Sequence, residues 1–221
     1  MGTLTSAKLP EKGCATELVA AICKAGEIDP VFSFFPWPRA EALVETGEAF
    51  AAFPYAANDQ RKATFDFSDP IFYTAPKFIY CVTAKAFGSL KASSLADLKP
   101  YGVALLSGTW TEKDLRAAGI RVHLVNSVDS GVKMLRSGRV DFFVEDETVA
   151  FAAIERVYPG ETESFKSLRS TFWGKTGNHL IVSRKYPGAS ELLDRFNKGL
   201  KEIRRNGTYR RITSKYKMAT Q

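Results

Sequence analysis

The sequence predicts an α/β protein with two lobes, each a mostly parallel sheet flanked by helices. Along the 221 residues, short and nearly all-apolar runs alternate with amphipathic runs at helical spacing. This alternation is typical of strand–helix–strand units, and strands covered on both faces read as continuous apolar runs. A mixed polar segment, residues 85–100, separates two sets of these units. The break between the two sets favours two lobes over one.

The predicted strands are short runs rich in β-branched, aromatic and other apolar residues. In chain order they are residues 31–35, 49–53, 78–83, 102–106, 121–125, 140–144 and 179–183. Several contain almost no polar residue, so we expect them to be buried on both faces.

The predicted helices lie between these strands and have recognisable ends. They are residues 17–25, 38–46, 112–118, 128–137 and 147–156 and a long helix near the carboxyl terminus. Three hydroxyl residues precede helical runs and are predicted to cap them: Thr111, Ser127 and Ser190. Glycines follow several of these runs, as they commonly do at helix ends.

Charge and hydropathy exclude two classes of partner. The formal net charge is +7, but residues 191–221 contain nine basic and three acidic residues and therefore hold most of it. One basic segment does not make a nucleic-acid-binding protein, so no nucleic-acid partner is expected. The longest apolar run, residues 49–57, is too short for a membrane span, which needs about 20 residues.

No motif in the chain points to a cofactor, a metal or a catalytic centre. Three cysteines and two histidines are too few for a disulfide scaffold or a histidine-based metal site. Whether Cys14 and Cys23 form a bridge stays open at this point. No phosphate-binding glycine loop, Gly-x-Ser-x-Gly or His-Glu-x-x-His occurs. We therefore predict no cofactor, no metal and no enzymatic activity.

Four stretches, taken together and in order, carry a family resemblance. Residues 61–71 read Arg-Lys-Ala-Thr-Phe-Asp-Phe-Ser-Asp-Pro-Ile, and residues 97–109 contain Asp-Leu-Lys, Gly-Val-Ala and Gly-Thr. Residues 135–146 contain Leu-Arg-Ser-Gly-Arg-Val-Asp and end on Asp, and residues 196–216 contain Phe-Asn-Lys-Gly-Leu, Gly-Thr-Tyr and Lys-Tyr. The set resembles extracellular solute-binding proteins of the amino-acid type, family 3, over roughly residues 13–217.

The resemblance implies a type II periplasmic-binding-protein fold, in which two crossing strands join the lobes and a ligand is captured in the cleft. Placed on this chain, residues 1–82 with 180–221 form lobe 1, and residues 86–176 form lobe 2. The crossing strands are expected at about 78–84 and 179–183. The polar break after residue 85 and the glycine-containing stretch 171–178 support this division.

The resemblance also implies three polar site residues. Arg61 matches the arginine that grips a ligand carboxylate, since a guanidinium offers two parallel charge-assisted hydrogen bonds. Asp146 matches the acid that pairs with a ligand ammonium. Thr109, after Gly108, is the expected second anchor for the carboxylate. Their alternatives are a surface arginine, a helix N-cap and an ordinary turn.

Three aromatic residues are predicted to line the pocket. Trp110 stands where amino-acid binders often have a small hydroxyl residue, and Tyr55 lies in a stretch where they often have Ser or Thr. Trp37 falls where the family places an apolar wall. Such a lining suits a flat or cationic ligand. The alternative for each ring is core or rim packing.

The resemblance predicts a monomeric protein that captures a small carboxylate- and amine-bearing solute for an ABC permease. The amino terminus shows no charged segment followed by an apolar run, which leaves open a cytosolic protein or a removed signal peptide. The resemblance implies a periplasmic or extracellular location with the signal peptide removed. Two alternatives remain: a ligand-sensing domain of a receptor, and a cyclohexadienyl dehydratase-like enzyme on the same fold. The enzyme would need a general acid aimed at a leaving group, and no second acid is placed convincingly.

Overall fold

The computed structural model describes Thr5, residues 10–84, Phe87, Leu90 and residues 92–216. The chain divides into two compact units. The continuous unit is Ala75–Lys175, and the discontinuous unit comprises the described residues up to Thr74 together with those from Thr176 onward. The chain therefore passes from one unit to the other twice.

The regular elements follow the alternation expected from the sequence. In chain order the strands are β1 (Ala51–Ala56), β2 (Asp66–Phe67), β3 (Phe72–Thr74), β4 (Pro76–Cys81), β5 (Gly102–Leu106), β6 (Arg121–Val125), β7 (Phe142–Asp146), β8 (Phe165–Ser167) and β9 (Thr176–Val182). The α-helices are α1 (Cys14–Ala25), α2 (Trp37–Thr46), α3 (Asp59–Thr64), α4 (Glu112–Ala117), α5 (Val128–Arg136), α6 (Glu147–Val157), α7 (Ala189–Arg205) and α8 (Thr208–Lys215). Among the described residues, none of these helices combines the length and the hydropathy needed to cross a bilayer.

The sheet of the discontinuous unit is built around β9, which pairs antiparallel with β1, β2 and β3. The prediction of a mostly parallel sheet is wrong for this part of the chain. Parallel neighbours require a crossover connection, whereas β9 returns from the continuous unit in the opposite direction to the strands that it joins. Helices α1 and α7 cover this sheet with Leu18, Ile22, Phe196 and Leu200.

The continuous unit holds a five-stranded mixed sheet in the order β6-β5-β7-β4-β8. Strand β5 is parallel to β6 and β7, whereas β4 is antiparallel to β7 and β8. Adjacent residues of β4 face opposite sides of the sheet: Phe78 packs with Phe142 and Trp173, and Ile79 packs with Phe143. The sheet is therefore covered on both faces, as the apolar strands predicted.

Several predicted elements and two predicted caps differ from the structure. The strands predicted at 78–83, 140–144 and 179–183 are Pro76–Cys81, Phe142–Asp146 and Thr176–Val182. Residues 31–35 form no strand: the chain is irregular there, and Val31 is 96% exposed. Strand β1 begins and ends later than predicted. Ser127 caps α5 by accepting from the Ser130 N–H, which confirms that prediction. Thr111 makes no capping hydrogen bond, and α7 begins before Ser190, after the left-handed Gly188.

The unit boundaries also fall earlier than the sequence placed them. They lie between Thr74 and Ala75 and between Lys175 and Thr176. Residues 76–81, predicted in lobe 1, pair as β4 inside the sheet of the continuous unit. Residues 85, 86, 88, 89 and 91 of the polar break and Lys217 of the basic segment lie outside the described residues.

Candidate functional site

Helix α3 carries Arg61 and is held at both ends. Asn58 precedes the helix and its side-chain oxygen accepts from the Arg61 N–H at 2.8 Å. At the other end the Arg184 guanidinium donates to the carbonyls of Ala63 at 2.7 Å and Lys62 at 3.0 Å. A six-residue helix would be marginal without such partners, because isolated short helices are unstable in water. These contacts fix the position of α3 and therefore the backbone position of Arg61.

The Arg61 guanidinium is buried and paired with a carboxylate from helix α2. Its Nε donates to Glu41 Oε1 and its Nη2 donates to Glu41 Oε2, each at 3.2 Å. Its Nη1 donates to the Ala56 carbonyl at 3.3 Å. The guanidinium carbon lies 4.8 Å from the centre of the Tyr55 ring. The surface alternative for Arg61 is therefore wrong, and the fork that a ligand carboxylate would use holds Glu41.

Tyr55 packs beneath Arg61 instead of presenting an open surface. The residue is 2% exposed and packs with Val44, Phe65 and Ile181. Its hydroxyl donates to the Trp37 carbonyl at 2.9 Å, and the two rings meet nearly perpendicular with centres 5.0 Å apart. Burial raises the pKa of Tyr55 well above its usual range. The packing alternative applies to Tyr55, and Trp37 is half-buried beside it.

Asp146 ends β7 and caps α6. Its Oδ1 accepts from the N–H groups of Thr148 at 3.0 Å and Val149 at 3.4 Å, and its Oδ2 accepts from the Ala75 N–H at 3.4 Å. Burial raises the pKa of this carboxyl, and these backbone hydrogen bonds oppose the rise. Asp146 is therefore an N-cap of α6; a capping carboxylate can also contact a ligand, so its predicted contact with a ligand ammonium stays a prediction.

Glu145 is a residue that the sequence analysis did not assign to the site. Its Oε1 accepts from the Asp146 N–H at 2.8 Å. Burial, with the charge of Asp146 as a smaller contribution, raises the pKa of Glu145 to about 7. Lys77 is opposite Glu145 in the register of β4 and β7, yet its ammonium bonds Glu147 at 2.9 Å. The Lys77 ammonium is therefore paired with Glu147.

Thr109 and Trp110 follow β5, but neither matches its predicted role closely. The Thr109 hydroxyl donates to the Leu106 carbonyl at 2.9 Å, and the Thr109 N–H reaches the same oxygen at 3.3 Å. That N–H is therefore not available as the predicted anion anchor. The Trp110 ring stands edge-on to Trp173, with centres 6.1 Å apart, and packs against the core of the continuous unit.

The structure brings together only some of the predicted residues. Arg61, Tyr55 and Trp37 form one cluster in the discontinuous unit, whereas Asp146, Thr109 and Trp110 belong to the continuous unit. Glu41 and Glu145 were not predicted. A buried arginine needs a counter-charge, but the burial of Arg61 is visible only in the structure, so the sequence held no signal for Glu41. No group of three metal-ligating side chains occurs among the residues that the structure describes.

Comparison with protein families gives one match that covers nearly the whole chain. The family described as bacterial extracellular solute-binding proteins, family 3, matches residues 5–219.

Individual proteins agree with this match. The L-arginine-binding protein of Pseudomonas aeruginosa is 29% identical over 163 residues, which make up 72% of this chain and 60% of that protein. The chain thus matches less than two thirds of the length of this curated relative. A solved ancestral arginine-binding protein bound to arginine has a TM-score of 0.77 at 28% identity and covers 92% of this chain and 87% of its own.

A third similarity concerns the fold alone. A histidine kinase sensor domain with similarity to periplasmic binding proteins has a TM-score of 0.78 at 21% identity, over 92% of this chain and 85% of its own.

Proposed function

The chain belongs to the bacterial extracellular solute-binding proteins of family 3, and we propose that it captures a small carboxylate- and amine-bearing solute for an ABC-type importer. The observation that carries this proposal is the buried Arg61, whose guanidinium already holds one carboxylate in a bidentate fork. A ligand carboxylate requires the same geometry. The names of the reported binding proteins, which refer to arginine, support an amino acid as the class of solute.

In the proposed mechanism, two predicted residues recognise the two charges of the solute. Arg61 receives the carboxylate, with Trp37 beside it as an apolar wall, and Asp146 receives the amine. The solute favours the conformation of the chain that satisfies both of its charges. An ABC permease would recognise this state. The corresponding location is periplasmic or extracellular.

A thermal-shift screen of the whole chain tests the function. The panel contains amino acids, polyamines, quaternary amines and aromatic carboxylates. A solute at 100 times its dissociation constant adds about 2.7 kcal/mol to the free energy of unfolding. We expect the largest shift with an amino acid and no shift with that solute in Arg61→Ala. Arg205→Ala is the matched control, since the exposed Arg205 pairs with Glu202 on the same helix. A panel without any shift would refute the proposal.

The two alternatives have their own support and tests. The fold of the histidine kinase sensor domain supports a ligand-sensing role, which predicts solute binding without transport. A dehydratase-like enzyme requires a general acid, and Glu145 has the raised pKa that such a group needs. Turnover of prephenate or arogenate would establish the enzyme. We favour the binding protein because the reported relatives are named as binding proteins.

A further inference from the structure

Glu41 lies in the position that a ligand carboxylate would take. It projects from α2, and its two oxygens accept from Nε and Nη2 of Arg61 at equal distances of 3.2 Å. The Arg61 side chain is 10% exposed and the Glu41 side chain is 28% exposed. The anion of this pair is therefore the more accessible partner, and the one that a solute can displace.

The rest of the Arg61 guanidinium is less accessible to a ligand carboxylate than the Nε–Nη2 edge. Nη1 already donates to the Ala56 carbonyl, and the Tyr55 ring lies against the guanidinium. A solute carboxylate that binds side-on, at the Nε–Nη2 edge, has to displace Glu41 from it. Binding at Arg61 is then an exchange of one carboxylate for another.

We propose that Glu41 is a specificity-determining residue. It stays bound to Nε and Nη2 of Arg61 in the presence of simple carboxylates, and a zwitterion displaces it. The solute class is a molecule whose carboxylate and ammonium are a few atoms apart. This inference deepens the proposed function and rests on it in one respect, the assignment of Arg61 to the ligand carboxylate.

The reason is charge balance. A simple carboxylate that displaces Glu41 leaves a half-buried anion without its counter-charge, and removing one partner of a buried pair is strongly unfavourable. A simple amine leaves the buried Arg61 unpaired in the same way. A zwitterion replaces both charges, since its carboxylate takes Arg61 and its ammonium faces Glu41.

The test uses two probes that differ mainly in an ammonium group: acetate and glycine. The readout is the ¹⁵N signal of Arg61 Nε in the whole chain, assigned by its loss in Arg61→Lys. Glu41→Gln removes the charge and keeps the size and one acceptor oxygen. Glu45→Gln is the matched control, because Glu45 lies on the same helix, carries the same charge and is exposed.

In the wild-type chain we expect glycine to move the Arg61 signal at about a tenfold lower concentration than acetate. In Glu41→Gln, acetate should act at about a tenfold lower concentration than in wild type, and glycine should lose its advantage. Glu45→Gln should match wild type. The wild-type comparison alone tests the proposal even if Glu41→Gln folds poorly.

Three outcomes overturn the proposal: equal acetate midpoints in wild type and Glu41→Gln, acetate as effective as glycine in wild type, or no shift in any protein. Failure of the proposed function looks different. A solute panel without a thermal shift, together with a gain for acetate in Glu41→Gln, would refute solute capture and leave the role of Glu41 in place.

Discussion

Arg61 and Glu41 form an ion pair in which Arg61 is the more deeply buried partner. Replacing one or the other should therefore change the free energy of unfolding for different reasons. Arg61→Ala removes the buried cation together with its contacts to Tyr55 and the Ala56 carbonyl. Glu41→Ala leaves the Arg61 cation buried without the carboxylate that its Nε and Nη2 bind. Neither single substitution should be neutral, because breaking a buried pair costs more than the pair contributes.

A double-mutant cycle on this pair should show strong coupling. We expect Arg61→Ala to lower the free energy of unfolding by about 2–3 kcal/mol, and Glu41→Ala to add little once Arg61 is gone. Urea unfolding of the four proteins measures this coupling. The exposed pair Arg205–Glu202 is the control, with a coupling within about 0.5 kcal/mol. Additive effects at Arg61 and Glu41 would show that the pair is not formed in solution.

Glu145 should make stability depend on pH. Burial raises its pKa from the ordinary value of a glutamate to about 7 in the folded chain, so between these two values the folded state binds more protons than the unfolded state. Stability then falls as pH rises through this window. We expect Glu145→Gln to reduce the fall between pH 5 and pH 8 by about 1–3 kcal/mol, as measured by urea unfolding. The exposed Glu163→Gln is the control, and parallel profiles for Glu145→Gln and wild type would contradict the prediction.

At the scale of elements, helices α1 and α7 approach so closely that their contact excludes a side chain. A Cβ added at Gly199 of α7 would lie 2.3 Å from the Ile22 carbonyl oxygen and 2.8 Å from the Gly26 nitrogen. These are backbone atoms, so a rotamer change cannot relieve the clash. The approach lets Phe196 and Leu200 bury their side chains against α1.

Gly199→Ala should therefore destabilise the chain even though alanine favours helices. The gain in helix propensity is about 1 kcal/mol, and overpacking against backbone costs about 1–3 kcal/mol or more. We expect a net loss of about 1–2 kcal/mol by thermal or urea unfolding. Gly174→Ala is the matched control, since a Cβ there meets nothing within 4 Å. Unchanged stability of Gly199→Ala would mean that the helices are farther apart.

At the scale of the whole molecule, the two chain segments that connect the units are adjacent where they leave the sheet of the discontinuous unit. Thr74, the last residue of β3, pairs with Thr176, the first residue of β9. Asn178 Nδ2 donates to Thr74 Oγ1 at 2.8 Å, which ties the two strands together beside the unit boundary. Two adjacent passages restrain relative motion less than widely separated ones, so we expect this point to act as a hinge.

Small-angle scattering tests the hinge. The radius of gyration should fall when the solute with the largest thermal shift saturates the chain. Arg61→Ala with the same solute should keep the ligand-free value. An unchanged radius in the wild-type chain, despite a clear thermal shift, would contradict closure of the units and leave binding itself intact.

The sequence by itself determined some of the local elements and the family. The predicted bounds of β5 and β6 match the structure, and Ser127 caps α5. These features depend on neighbouring residues, whose periodicity and hydrogen-bonding groups are visible in any short window. The ordered motifs gave the family, which the match over residues 5–219 confirms.

Only the tertiary structure decided which groups meet. The apolar run 31–35 predicts a strand, but a strand needs a neighbour, and no such pairing forms there. Glu41 lies 20 residues before Arg61 and on another helix, so no local pattern links them. Asp146 reads equally well as a ligand acid or an N-cap until the N–H groups of Ala75 and Thr148 are in place. The physical reason is the same in each case: pairing and burial of charge depend on contacts between distant parts of the chain, which periodicity and spacing do not encode.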